Sequence, residues 1–151
     1  MKYKIDNKIL NIIYNKKEKN DVILKEIFEI SKRYEETDNS NFIGFNFPMT
    51  NVNKNDYLYK YSKIATYVIV YKNGDKQTKQ HELLHAKFYT NNEYKELVYS
   101  LWNSIENLSK KNIIDMLLRM KYKNDEKILI DEFQAYYYSE KSNFFGKILF
   151  K

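Results

Sequence analysis

The chain has two histidines, and both lie in His81-Glu82-Leu83-Leu84-His85, four residues apart with a carboxylate after the first. On an α-helix, positions i and i+4 share one face, one turn apart. Two imidazoles so placed can hold one zinc ion through nitrogen. The intervening glutamate falls about 100° around the helix from His81. It therefore sits beside the metal rather than on it, where it can take a proton from water. The plainer use of the same residues is an amphipathic helix carrying two surface histidines.

Cysteine is absent, which excludes a disulfide framework and every thiolate metal site. Any metal must therefore be held by histidine and carboxylate. A length of 151 residues predicts one domain, 1–151, with a modest core. Apolar residues at 43% and aromatic residues at 17% predict a folded chain rather than a disordered one. The net charge of +6 comes from 26 basic and 20 acidic residues that are well interspersed. With no dense basic tract, this predicts a solvated lysine-rich surface and no specific nucleic-acid partner. No stretch approaches the roughly 18 apolar residues of a transmembrane segment. With no secretory signal at Met1 and no cysteine, the expected location is cytoplasmic, or virion or host cell if the source is viral. Abundant Lys, Asn, Ile and Tyr with scarce Gly and Pro fit an AT-rich genome.

The motif needs a helix, and the flanks predict one. Thr78 reads as its N-cap, which puts His81 in the first turn and His85 in the second. Thr90-Asn91-Asn92-Glu93 reads as a capping box that ends it near Tyr89 and opens another helix to about Asn107. That next helix has Tyr94, Leu97, Val98, Leu101, Trp102 and Ile105 as its buried stripe. Ser109 reads as the cap of a further helix with Ile113, Ile114, Leu117 and Leu118 inward. A turn over 123–125 leads to a last helix from about Glu126 to Glu140. Upstream, Met1 to Asn15 alternates as one or two short strands. A helix is predicted from Asp21 to Glu35, capped by Asn20 or Asp21. An Asn-rich span from Asp38 to Asp56 follows, with a strand over Phe42–Phe47 and a loop from Asn51. Thr66–Tyr71 is the strongest strand signal, β-branched and aromatic throughout, and Asn73-Gly74-Asp75 turns the chain. The apolar run 143–150 is expected to pack back onto the domain. The predicted fold class is α+β: a small twisted sheet with a backing helix in the N-terminal half, the motif helix in the middle, and a helical C-terminal half.

The HExxH pattern at His81–His85 resembles the signature of the zincin metallopeptidases, whose fold also sets a sheet and backing helix before the metal helix. The resemblance implies zinc as cofactor, a polypeptide as substrate, and Glu82 as general base. A catalytic zinc usually has three protein ligands and an open position. The extended metzincin motif is absent, because position 88 is Phe and position 91 is Asn, and the inverted motif HxxEH is absent too. That leaves the gluzincin arrangement, in which a glutamate on a later helix supplies the third ligand.

Glu93, Glu96, Glu106, Asp115, Asp125, Glu126, Asp131, Glu132 and Glu140 all lie downstream. Asp131 and Glu132 stand apart, mid-helix among bulky apolar residues where an unpaired carboxylate is costly. The segment Glu132-Phe133-Gln134-Ala135-Tyr136 resembles the gluzincin helix that carries the third ligand, which implies Glu132, with Asp131 as the alternative. Asp131 can otherwise orient a histidine from behind. Tyr136, one turn beyond Glu132, is the candidate donor to an oxyanion, with Tyr138 and Tyr89 as alternatives. Zincins bind extended peptides along a sheet edge, and Thr66–Tyr71 and Phe42–Phe47 are the two candidate edges. The leading expectation is a zinc peptidase. The others are a non-catalytic structural or interaction protein on a zincin-like fold, and a basic nucleic-acid-binding domain.

Overall fold

The computed structural model describes residues 1–34 and 42–151. Strands β1 (Lys2–Asp6) and β2 (Ile9–Tyr14) form an antiparallel hairpin. Its two-residue turn has Asn7 at φ 51° and Lys8 at φ 64°. Positive φ at both central positions matches the right-handed twist of the flanking strands. Helix α1 (Val22–Lys32) opens on Asp21, whose side chain accepts a hydrogen bond from the Ile23 N–H. The predicted end at Glu35 and the start of the Asn-rich span at Asp38 lie outside the described residues.

Strand β3 (Phe45–Pro48) pairs antiparallel with β4 (Tyr67–Lys72), which runs parallel to β2. The sheet order is β1-β2-β4-β3. The fold class is thus α+β with a small mixed four-stranded sheet. The order corrects one expectation. Thr66–Tyr71 cannot be an open edge, because β4 is paired on both sides. Its five buried residues, Tyr67 to Tyr71, suit an interior strand. The Phe42–Phe47 prediction becomes the shorter edge strand β3, and Pro48 at its end fits an edge position.

Strand alternation divides the side chains between two faces. One face presents Leu10, Ile12, Tyr14, Phe45, Phe47, Val68 and Val70 to Leu24, Ile27, Phe28 and Ile30 of α1. The other carries Asn11, Asn46, Tyr67, Ile69 and Tyr71, so Asn11 and Asn46, both opposite Ile69, share a side. Residues 57–65, which the sequence leaves ambiguous, include a short 3₁₀ helix, Tyr57–Tyr61.

By internal contacts the chain divides into Met1–Ala86 and Lys87–Lys151. The second unit contains α3 (Asn92–Ser104), α4 (Asn107–Arg119) and α5 (Glu126–Ser139). Phe88, Val98, Trp102, Ile105, Ile113, Leu117, Leu129, Ile130 and Phe133 form its core. Leu97 departs from the predicted stripe and is 68% exposed. Val98, Trp102 and Ile105 are buried, spaced i, i+4, i+7, and Tyr94 and Leu101 pack half-buried against the same core. Two caps also differ from expectation. Asn91, not Thr90, caps α3, its side chain accepting from the Tyr94 N–H. Ser109 caps nothing: α4 begins two residues earlier, and the buried Ser109 hydroxyl oxygen accepts from the Leu149 N–H at 2.9 Å. That bond, with Glu106 N–H donating to Leu149 C=O at 2.8 Å, ties the C-terminal run back onto its own unit. No helix among the described residues is long and apolar enough to cross a membrane.

Candidate metal centre

Helix α2 (Lys76–Thr90) carries the motif. Its cap is Asp75 rather than Thr78. The Asp75 carboxylate accepts from the Thr78 N–H at 2.9 Å and from the Thr78 hydroxyl at 2.6 Å. The Thr78 hydroxyl is therefore a donor to the cap and not the cap itself. Burial works to raise the Asp75 carboxyl, but the Thr78 hydrogen bonds, the Lys72 charge and the Gln77 N–H together hold it below the usual aspartate value. With Lys76 as first residue, His81 falls in the second turn and His85 in the third, one turn later than predicted.

Glu82 is 5% exposed. The Asn46 Nδ2 of β3 donates to its Oε2 at 2.8 Å, and the Tyr67 hydroxyl of β4 donates to Asn46 Oδ1 at 2.6 Å. Sequence reasoning missed Asn46 and Tyr67. The available signal was a lone amide between Phe45 and Phe47, which places it on the opposite face of the strand from both rings.

Gly44 makes room for this approach. A Cβ there would lie 2.5 Å from Thr78 Cγ2, 2.9 Å from Glu82 Oε1 and 3.0 Å from the Val70 carbonyl oxygen. The last of these is sheet backbone and cannot swing aside. Gly44→Ala is therefore expected to destabilise the protein by about 1–3 kcal/mol through overpacking. Urea unfolding checks this, and a variant as stable as the wild type would show that α2 does not press on this segment.

His85 is buried and His81 half-buried, and their Nε2 atoms are 3.1 Å apart. Two nitrogens about 2.0–2.1 Å from one tetrahedral ion lie about 3.3 Å from each other. The observed spacing is thus close to that of two imidazoles sharing a metal. A hydrogen bond between the rings also fits, with one nitrogen protonated and the other not. Glu132, on α5, is buried at 5% exposure. The other downstream carboxylates are half-buried or exposed. Among the described residues, His81, His85 and Glu132 each offer one ligand atom, and these atoms all lie within 4.8 Å of one another. Two nitrogens and a carboxylate oxygen suit zinc, whereas calcium and magnesium favour all-oxygen sets.

The remaining candidates are placed as follows. Asp131 Oδ1 accepts from the Gln134 Nε2 at 3.0 Å, and Gln134 Oε1 accepts from the Tyr94 hydroxyl at 2.6 Å. The Tyr136 hydroxyl lies 2.6 Å from that of Tyr122, and its ring stacks on Phe144. Tyr138 is 47% exposed and Tyr89 is half-buried. Compared with known proteins, the chain matches no family model, no curated protein and no solved structure.

Proposed function

We propose that the chain is a zinc-dependent peptidase of gluzincin type, with His81, His85 and Glu132 as the ligands and Glu82 as the general base. The observation that carries this reading is the grouping of the three ligand atoms within 4.8 Å, on a helix that also bears a buried glutamate beside the first histidine. When bound, zinc supplies a Lewis acid that polarises a peptide carbonyl and makes water more acidic. Glu82 takes a proton from the attacking water as the new C–O bond forms. It returns that proton to the amine nitrogen as the C–N bond breaks. Tyr136 is the proposed donor to the oxyanion. Edge strand β3, which among the described residues pairs only with β4, offers the line along which an extended polypeptide adds.

The test is cleavage of a mixed peptide library by protein loaded with one equivalent of zinc. Hydrolysis that stops on chelation and returns with added zinc is expected. Tight zinc binding with no cleavage would reject a peptidase.

A further inference from the structure

We infer that Asn46 is a positioning residue that holds the Glu82 carboxylate in one orientation, and that Tyr67 fixes the amide that does so. The inference rests on the peptidase reading, in which Glu82 must face the attacking water. A carboxylate only accepts hydrogen bonds, so the group 2.8 Å from Glu82 Oε2 must be the Asn46 NH₂. That leaves Asn46 Oδ1 towards Tyr67, whose hydroxyl donates to it at 2.6 Å. Flipping the amide would set two acceptors against each other at Glu82, whereas the Tyr67 hydroxyl can donate or accept, so the carboxylate fixes the amide's sense. The relay therefore admits one arrangement.

Its anchor is firm. Tyr67 is fully buried in an interior strand, and Asn46 lies diagonally across from it, since Asn46 is opposite Ile69. Two paired strands thus place the amide, and the amide places a long side chain that projects from a different element. A misplacement of about 1 Å at a reacting group costs on the order of 10²-fold in rate. Gly44 bounds the other carboxylate oxygen, so Glu82 is located from two directions.

The experiment uses Asn46→Ala and Tyr67→Phe in the full chain, loaded with zinc. Kinetics are measured on a peptide the wild type cleaves, and the Asn46→Ala variant is also crystallised. For Asn46→Ala we expect kcat to fall about 10- to 100-fold, with KM and zinc stoichiometry unchanged. The Glu82 carboxylate should leave its wild-type position in the crystal. Tyr67→Phe removes one oxygen from a buried ring and should lower kcat in the same direction by less. An unchanged kcat in an Asn46→Ala protein that binds zinc overturns the inference, as does an unmoved Glu82 side chain. A wild-type protein that binds zinc and cleaves nothing defeats the peptidase reading instead. The crystal structure of Asn46→Ala then still decides whether Asn46 sets the Glu82 orientation.

Discussion

Glu82→Gln should bind zinc as the wild type does and hydrolyse peptides about 10²- to 10⁴-fold more slowly, the usual contribution of a general base. The substitution is chosen for its shape. At 5% exposure the site has little room for a larger change, and glutamine matches glutamate nearly atom for atom. Its amide oxygen can still accept from Asn46 Nδ2, so the hydrogen bond to β3 survives. What it loses is the ability to take up a proton. Glu82→Ala would be a poorer probe, because it leaves the Asn46 amide facing a gap and mixes lost chemistry with lost packing. Zinc content and initial rates on one peptide decide the matter. Wild-type turnover by Glu82→Gln would remove this carboxylate from the reaction. Loss of zinc together with activity would instead place it among the ligands.

The motif helix and the buried glutamate of α5 are both legible in the sequence, for different reasons. The i, i+4 spacing of His81 and His85 is a local property that any helix turns into a shared face. Asp131 and Glu132 both stand out as carboxylates mid-helix among bulky apolar residues, but only the resemblance to the gluzincin helix separates them, and Glu132 is the buried one of the two. The Asn46–Glu82 bond is not legible, because it joins residues 36 apart through a sheet register that no local pattern encodes. The caps fail on a smaller scale. Asp75, Thr78, Thr90 and Asn91 are all good cap types, and the choice among neighbours depends on backbone dihedrals that residue type alone does not determine. The division after Ala86 leaves no compositional mark, since it falls inside the continuous helix α2, where no linker sequence exists.

Zinc at about 100 times its dissociation constant is expected to stabilise the wild-type protein by about 2.7 kcal/mol. For a chain of this size that is a rise in Tm of roughly 5–11 °C. Glu132→Gln should remove most of that rise. Glutamine fills the same space in α5 but brings a neutral oxygen where the ion needs a charged one. Replacing a partner behind a ligand already costs about 10- to 100-fold in affinity, and changing a ligand itself should cost at least as much. At the same zinc concentration, a 100-fold loss leaves about 0.4 kcal/mol of stabilisation, or roughly 1–2 °C. The metal-free variant should move the other way. Burying an amide is cheaper than burying a carboxylate, so its Tm without zinc should equal or exceed that of the wild type. His85→Ala should also abolish the zinc-induced rise, but from a lower starting Tm, because it opens a cavity at a 2% exposed position. A shared loss of the zinc response, from different metal-free Tm values, is what ligation by both residues requires. If Glu132→Gln keeps the full zinc response, Glu132 is only a buried carboxylate. If His85→Ala keeps it as well, zinc binds elsewhere and the 3.1 Å between the imidazoles is better read as a hydrogen bond from one ring to the other.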